Sequence, residues 1–389
     1  MRGKNVCMAL IMTVVLSLGW ASGAYASDDG ATAANTQPSD AATVLMELST
    51  GQVLAEQNAH VTRPVSSLAK IMTVLLVSEA VSDGALSMDD KVACSDNAAS
   101  MGGAQIWLKP GEEMTVEELL RATLIGNAND AAVALAEKTA GSEKAFVERM
   151  NARAKELGMS NTTFENAAGY DTGSQRSTAY DLALASRELM KHERLYAFMG
   201  TWMDDLRGGE TELVNNNRLI KTYPGIMGVM AATKTDEAGF GVSACAIREG
   251  FGLVAVVLGM PSNEARFESA AALMDTGFGG YELFTPAIDS KALTPVKVKN
   301  GVQGKAGLHA ENMMTLVIPK GRAADIVQEL KLEEEVEAPV ESGQTLGTIT
   351  FLLDGKELVT TRLVAMESIP KMNVLSSFLM LLKAFLQNG

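Results

Sequence analysis

The sequence predicts an α/β fold, with one layered domain over residues 40–280 and a small all-β domain over residues 281–368. Two observations support the layered domain. Strand-like runs lie near both of its ends, and helix-period runs with capping residues fill the stretch between them. Because strands from both ends can join one sheet and bury helices on its faces, this order is typical of an α/β domain closed by its own termini.

The first predicted elements are two strands, 43–48 and 53–56, joined by a turn-prone Ser-Thr-Gly-Gln segment. A helical pattern then starts at Ser67 and continues to about residue 80. The next helix begins with a capping box formed by Thr115 and Glu118. Four helices are predicted after the first, at 115–125, 130–139, 144–157 and 179–191.

The remaining predicted elements are strands. A pair at 239–248 and 253–260, joined through a Glu-Gly turn, closes the layered domain. After residue 281, short β-prone runs are punctuated by Gly and Pro, which predicts the all-β domain. Its strands are predicted at 295–298, 314–318, 347–352 and 357–364.

A secretory signal peptide is predicted over residues 1–26. Arg2 and Lys4 precede a short apolar run that ends near an Ala-Tyr-Ala cleavage site. The run is shorter than the roughly 20 residues that a spanning helix needs. Residues 27–39 are small and polar, which predicts a flexible leader. We therefore expect an exported, peripheral protein at the outer face of the cytoplasmic membrane or in the periplasm.

Composition argues against several functional classes. The formal net charge is −14, and loss of Arg2 and Lys4 with the signal peptide makes it −16. So acidic a protein is a poor ligand for a phosphate backbone, and no nucleic-acid partner is expected. Cys94 and Cys245 allow one disulfide or two buried thiols, of which the thiols are favoured. The three histidines are scattered, so neither a metal site nor a cofactor is predicted.

Residues 369–389 predict an amphipathic helix. Polar side chains fall along a narrow stripe, and apolar side chains cover the rest of its surface. From residue 374 to 386 it would be only about 20 Å long at ~1.5 Å per residue, too short for the ~30 Å hydrocarbon core. We expect it to lie on the membrane surface. The alternative is a terminal helix packed on the all-β domain.

The sharpest chemical feature is Ser67-Leu68-Ala69-Lys70 at the start of an apolar helix. An i, i+3 spacing places the Ser67 hydroxyl and the Lys70 amine on one helix face. The positive end of the helix dipole lowers the pKa of a nearby lysine, and a desolvated amine can act as base toward serine. The alternative is an N-capping serine beside a solvated lysine. A second copy, 368–371, contains a proline and is interpreted as chance.

Further segments accompany this motif in order along the chain: RPVSSLAKIMTVLLV, IWLKPGEEMTVEELLRATLIGNANDAAVALAE, MSNTTFENAAGYD, YPG, TDEAGF and LVAVVLGMPSNEARF. Through them the sequence resembles the low-molecular-mass penicillin-binding D-alanyl-D-alanine carboxypeptidases over nearly all of the mature chain. The resemblance implies a serine β-lactamase-like fold, an antiparallel sheet flanked by helices, followed by a β-rich domain and an amphipathic membrane anchor. It also implies a peptidoglycan stem peptide as substrate and β-lactam antibiotics as covalent inhibitors.

The second family motif, Ser-x-Asn, corresponds to Asn127-Ala128-Asn129. Asn129 fits as the amide that holds substrate and lysine. Asn127 replaces a serine whose hydroxyl could relay a proton, whereas an amide orients groups but shuttles protons poorly. The alternative is that one of the two asparagines is an N-cap.

The third family motif, Lys-Thr-Gly, is altered. Its lysine position falls on Met230 or Ala231, depending on the direction of counting, and neither carries charge. Lys234 and Thr235 could supply the pair if the strand register slips, although a slip by one residue turns each side chain to the opposite face. The alternative for Lys234 is a solvated lysine at the end of a strand.

Three functions are compatible with these motifs. The first is an active carboxypeptidase with Ser67 as nucleophile, Lys70 as base, Asn127 and Asn129 in the catalytic site, and Lys234 and Thr235 binding substrate. Backbone amides of Ser67 and of residues 232–235 would form its oxyanion hole. The second is a catalytically impaired homologue that binds or scaffolds the cell wall. The third, a secreted β-lactamase, shares the Ser-x-x-Lys chemistry but does not explain the added domain and terminal helix. The first is favoured because Ser67, Lys70 and Asn129 are intact.

Overall fold

The computed structural model describes residues 40–170, 172–288, 293–374 and 378. The predicted signal peptide, the leader and most of the C-terminal helix lie outside the described residues. Strands up to residue 260 are β1 (Ala42–Glu47), β2 (Val53–Gln57), β3 (Arg63–Pro64), β4 (Lys91–Ala93), β5 (Glu113–Thr115), β6 (Arg176–Ser177), β7 (Met203–Leu206), β8 (Thr211–Val214), β9 (Ile226–Ala231), β10 (Phe240–Arg248) and β11 (Phe251–Met260).

Helices surround these strands, and one of them begins at the capping box that the sequence predicts. The capping box of Thr115 and Glu118 is present at the start of α3. The helices are α1 (Lys70–Ser82), α2 (Asp96–Ala99), α3 (Val116–Leu124), α4 (Asn129–Ala140), α5 (Glu143–Glu156), α6 (Ala179–Leu189), α7 (Tyr196–Met199), α8 (Leu219–Thr222) and α9 (Asn263–Gly280).

The central antiparallel sheet has the strand order β2-β1-β11-β10-β9. In it, Ala42 of β1 pairs with Leu258 of β11, so the beginning and the end of the domain are neighbours, as predicted. Every residue of β1 is buried, because helices cover both faces of the sheet. One cluster of buried side chains joins the sheet to α1, α3, α4 and α6. A second cluster joins it to α9 on the other face.

The chain beyond residue 280 is β-rich, as predicted. Its strands are β12 (Tyr281–Phe284), β13 (Val296–Lys299), β14 (Lys305–Ala306), β15 (Leu308–Ala310), β16 (Leu316–Pro319), β17 (Val327–Leu332), β18 (Glu335–Glu337), β19 (Thr345–Leu353) and β20 (Lys356–Ala365). Strands β15, β20, β19 and β17 form one sheet, and β13 lies between β14 and β18 in another. Strand β12, which follows α9 directly, pairs with β16.

Two further predictions bear on the described residues. Cys94 and Cys245 are free, buried thiols, so the favoured alternative is confirmed. Within the part of the chain that the structure describes, no helix is long and apolar enough to cross a membrane. The predicted domain boundaries at residues 280 and 368 stay predictions.

Candidate active site

Ser67 lies in a short 3-10 turn, Ser66–Ala69, and the α-helix proper begins at Lys70. The side chain of Ser67 is 4% exposed and does not cap the helix. Its Oγ accepts hydrogen bonds from the Thr233 amide at 2.8 Å and from Asn127 Nδ2 at 3.0 Å. Ser66 has a φ of 48°, a left-handed conformation that non-glycine residues adopt mostly at special sites. The serine is therefore held in a strained turn by donors from two other segments.

Lys70 has no solvent exposure. Its ammonium donates to Asn129 Oδ1 at 2.5 Å and to the Ala168 carbonyl at 2.7 Å. Burial lowers the pKa of Lys70 to about 7, although the nearby Asp130 carboxylate acts in the opposite direction. Among the described residues, Lys70 forms no direct hydrogen bond with Ser67. An amine with this pKa is a competent base near neutral pH.

The two asparagines have separate partners. Asn127 Nδ2 contacts Ser67 Oγ and lies 3.2 Å from Thr233 Oγ1, while its own Oδ1 is buried without a hydrogen bond among the described residues. Asn129 accepts from Lys70 and donates through Nδ2 to the Gly102 carbonyl at 2.7 Å. The N-cap of α4 is Ala128, and neither asparagine side chain caps this helix. Asn127 thus contacts the nucleophile, and Asn129 contacts the base.

A loop over residues 166–170 forms part of the site and was not assigned a role from sequence. Its Ala168 carbonyl binds Lys70, and its Ala167 carbonyl accepts from Thr73 on α1 at 2.7 Å. Gly169 has a φ of +84°, and a Cβ at this position would lie 2.4 Å from the Ser66 carbonyl oxygen. Only glycine permits so close an approach of the two backbones. The Asn-Ala-Ala-Gly-Tyr-Asp segment was the available sequence signal.

The segment just after β9 supplies Thr233. This residue lies within 232–235, the stretch whose backbone amides are expected in the oxyanion hole. Besides its amide contact to Ser67, its carbonyl accepts from Ser66 Oγ at 2.8 Å. Met230 and Ala231, the two candidate positions for the motif lysine, are each 2% exposed and belong to the core clusters on opposite faces of the sheet. The altered motif therefore leaves no lysine within β9.

Lys234 and Thr235 lie just beyond this strand and do not contact the other predicted site residues in the structure described. The Lys234 side chain is 51% exposed and pairs with Asp236 at 3.2 Å. Thr235 Oγ1 accepts from the Ala238 amide at 3.0 Å, which stabilises the turn toward Gly239. Their assignment as substrate-binding residues stays a prediction.

Arg266 on α9 is a buried cation beside the same strand end. Its Nη1 donates to the carbonyls of Ala232 at 2.7 Å and Gly241 at 2.9 Å. Burial lowers the pKa of Arg266 to about 10. These bonds fix the residue that precedes Thr233, so Arg266 positions the amide that contacts Ser67. No motif pointed to this role, because Arg266 lies far from the site in sequence.

Comparison with known proteins identifies the family. The family model described as D-alanyl-D-alanine carboxypeptidase matches residues 29–262. The one described as the C-terminal domain of penicillin-binding protein 5 matches residues 281–371. The chain therefore belongs to the D-alanyl-D-alanine carboxypeptidase family.

Individual relatives agree with this assignment. D-alanyl-D-alanine carboxypeptidase DacF of Bacillus subtilis is 38% identical over 372 residues, which cover 95% of each protein. Penicillin-binding protein 5 of Haemophilus influenzae has a TM-score of 0.76 and 26% identity, covering 85% of this chain and 97% of that one. Penicillin-binding protein D2 of Listeria monocytogenes, in an ampicillin-bound form, has a TM-score of 0.56 and 33% identity over 61% of this chain and 96% of that one.

Proposed function

We propose that this protein removes the terminal D-alanine from a peptidoglycan stem peptide through an acyl-enzyme on Ser67. The observation that carries the proposal is the fully buried Lys70, whose pKa is about 7 and whose backbone lies one helical turn from Ser67. A neutral amine at this place explains how serine is activated without histidine. Penicillins would acylate the same hydroxyl.

The first step is acylation. Neutral Lys70 takes the proton of Ser67, and Oγ attacks the carbonyl carbon between the two terminal D-alanines. The carbonyl oxygen displaces Ser67 Oγ from the Thr233 amide, and this amide, together with that of Ser67, stabilises the oxyanion. The C–N bond then breaks, and the proton held by Lys70 passes to the leaving amine. D-alanine departs, and a serine ester remains.

The second step is hydrolysis. A water molecule gives one proton to neutral Lys70, and its oxygen attacks the ester carbonyl. Collapse of the tetrahedral intermediate breaks the bond to Ser67 Oγ, which takes the proton back. Asn129 keeps Lys70 in place throughout, and Asn127 orients Ser67. The amide of Asn127 cannot relay a proton as a serine hydroxyl can, so proton transfer rests on Lys70.

Lys234 is the cation proposed to bind the carboxylate of the terminal D-alanine, with Thr235 beside it. Support comes from its exposure and from the weakness of its present partner. An exposed pair such as Lys234 with Asp236 contributes little, so the ammonium can exchange this carboxylate for that of the substrate. The predicted export and the membrane-surface helix would place the site next to wall precursors.

The two alternative functions are less well supported. An impaired homologue is favoured only by the altered Lys-Thr-Gly motif, which leaves no lysine within β9. Ser67 and Lys70, which both have ordered partners, favour activity. A β-lactamase function would not account for the β-rich segment, which matches a penicillin-binding protein domain.

The direct test is incubation with a fluorescent penicillin, followed by denaturing electrophoresis and intact mass measurement. We expect a covalent adduct on the parent and none on Ser67→Ala. Ser368→Ala, in the second Ser-x-x-Lys copy, is the matched control and should label like the parent. Absence of an adduct on the parent, or an adduct that persists in Ser67→Ala, would refute the proposal.

A further inference from the structure

Trp107 is unusual in being a large aromatic side chain that is 71% exposed. Its φ is 54°, which lies in the left-handed region that bulky residues rarely adopt. Tryptophan is on average one of the more buried residues. A strained backbone that presents such a side chain to solvent calls for a functional explanation.

The loop that carries Trp107 is fixed on both sides of it. The buried carboxylate of Asp130 accepts from the Ile106 amide at 3.1 Å and from the Leu108 amide at 3.0 Å. Arg207 donates to the Ile106 carbonyl at 2.9 Å. Because both neighbours are held, residue 107 cannot relax into an ordinary conformation by itself. The exposure of Trp107 is thus imposed by the fold.

The direction of the indole ring is also set. Gln105 bridges two groups when its amide is assigned the orientation that satisfies both neighbours. In that orientation its side-chain oxygen accepts from Trp107 Nε1 at 3.0 Å and its nitrogen donates to the Met101 carbonyl. The indole ring is therefore tied through Gln105 to the segment 101–105 of the loop. A ring held in this way presents a face without paying the entropy of ordering it on binding.

The same segment, residues 101–105, contacts the catalytic groups. Gly102 accepts from Asn129 Nδ2 at 2.7 Å, and the Asn129 amide donates to the Ala104 carbonyl at 2.7 Å. Asn129 in turn binds Lys70. Tyr170, next to Gly169, donates from its hydroxyl to the Gly102 carbonyl. The loop that supports Asn129, and through it the base, thus also carries Trp107.

We propose that Trp107 is an accessory substrate subsite that stacks against a C–H-rich face of the acyl donor, outside the scissile bond. This proposal rests on the proposed function. The leaving D-alanine is small and ends in a carboxylate, so it offers little to an indole face. The acyl donor offers two sources of the same chemistry, an aliphatic side chain of the stem peptide or a face of an attached sugar ring. Either contact buries apolar area on a preorganised aromatic surface.

The test compares three substrates that end in D-alanyl-D-alanine. The first carries a long aliphatic side chain on the residue before the two D-alanines, the second carries glycine there, and the third is the first peptide joined to a disaccharide. The full chain is compared with Trp107→Ala, Trp107→Phe and Val327→Ala. Val327 is 60% exposed on β17 and serves as a matched apolar control.

We expect the parent to prefer one C–H-rich substrate by about tenfold in kcat/KM, mainly through KM, which corresponds to about 1.4 kcal/mol. Trp107→Ala should abolish this preference, while Trp107→Phe should keep most of it and Val327→Ala all of it. Loss of the aliphatic-over-glycine preference identifies the peptide side chain as the contact. Loss of the disaccharide preference identifies the sugar. A preference that survives in Trp107→Ala, or that is absent in the parent, overturns the proposal.

Folding of the variants is controlled through the backbone. Trp107→Gly relieves the left-handed strain, so it should melt no lower than the parent and still lose the preference. The penicillin adduct on the parent separates the two proposals. An adduct without the Trp107 effect refutes only the subsite, whereas absence of the adduct refutes the function itself.

Discussion

The burial of Lys70 determines whether its amine can act as the base for Ser67. Its ammonium group is enclosed by Asn129 and Ala168 and has no access to solvent. Burial disfavours the charged form, and this brings the pKa from 10.5 to about 7. The Ser-x-x-Lys spacing predicted the pair of residues, but it could not predict the depth of burial. That depth depends on the 166–170 loop, which is distant in sequence.

A pH dependence follows from this pKa. Because the lowered pKa makes the neutral amine the main form above about 7, penicillin acylation should rise with pH through about 7 and then level off. Stopped-flow labelling over about two pH units on either side of this pKa, from about pH 5 to about pH 9, would give the profile. Lys70→Arg, which stays protonated, should lose at least ~10²-fold in rate. A flat profile would contradict the assignment of Lys70 as base.

Lys234 gives a second prediction at the residue scale. If it binds the terminal carboxylate, Lys234→Ala should raise KM for a D-alanyl-D-alanine peptide by about tenfold and change kcat little, as expected for loss of an ion-pair contact. Steady-state kinetics would measure this. Lys331→Ala, on β17 of the β-rich part, is the charge-matched control. Equal KM values for the parent and Lys234→Ala would remove Lys234 from the site.

At the scale of elements, the site is the meeting point of a 3-10 turn, the loop before α4, the 166–170 loop and the segment just after β9. The contact between the 166–170 loop and the 3-10 turn depends on Gly169, where the two backbones nearly touch. The strain of Ser66 is maintained by its bond to the Thr233 carbonyl. Four segments therefore hold the nucleophile, and a shift in one of them displaces it.

The steric fit at Gly169 yields a prediction. In Gly169→Ala, the new methyl group would lie 2.7 Å from Ser67 Cα, so the turn must move. We expect acylation to slow by at least ~10²-fold and the melting temperature to fall. Gly173→Ala is the matched control, because Gly173 also has a positive φ but nothing lies within 4 Å of its Cβ position. Similar labelling rates in both variants would show that the close approach is unimportant.

Elements with strong local signals were predictable from sequence. Helix α3 carries its own capping box, and β1 and β11 are apolar runs between turn residues, so each was found to within about two residues. Helix α9 was missed because its many Ala and Gly residues weaken the apolar pattern. Sequence reasoning limited the oxyanion-hole amide to residues 232–235 but could not single out Thr233. That choice depends on the register of β9, which local sequence does not encode once the motif is altered.

At the scale of the whole molecule, the catalytic and β-rich parts are connected through packing. Strand β12 pairs with β16, and Val317 of β16 belongs to the same buried cluster as α9 and the central sheet. Among the residues that the structure describes, none beyond Arg266 in chain order belongs to the site.

A truncation tests how far the β-rich part is needed. A chain that ends after residue 280 keeps every residue that contacts Ser67 or Lys70, so its penicillin acylation rate should stay within about threefold of the parent. Loss of the β12–β16 contacts should lower its melting temperature, because Val317 no longer covers the α9 cluster. Thermal unfolding and labelling would be measured together. A folded but unreactive truncation would mean that the β-rich part shapes the site.

The most direct measurement is the release of D-alanine from a peptide ending in D-alanyl-D-alanine, compared between the parent and Ser67→Ala. The account predicts steady release by the parent and a rate at least ~10³-fold lower in the variant, since removal of the nucleophile abolishes the acyl-enzyme. No release by the folded parent, or equal release by the variant, would contradict the assignment of Ser67 as the nucleophile of an active carboxypeptidase.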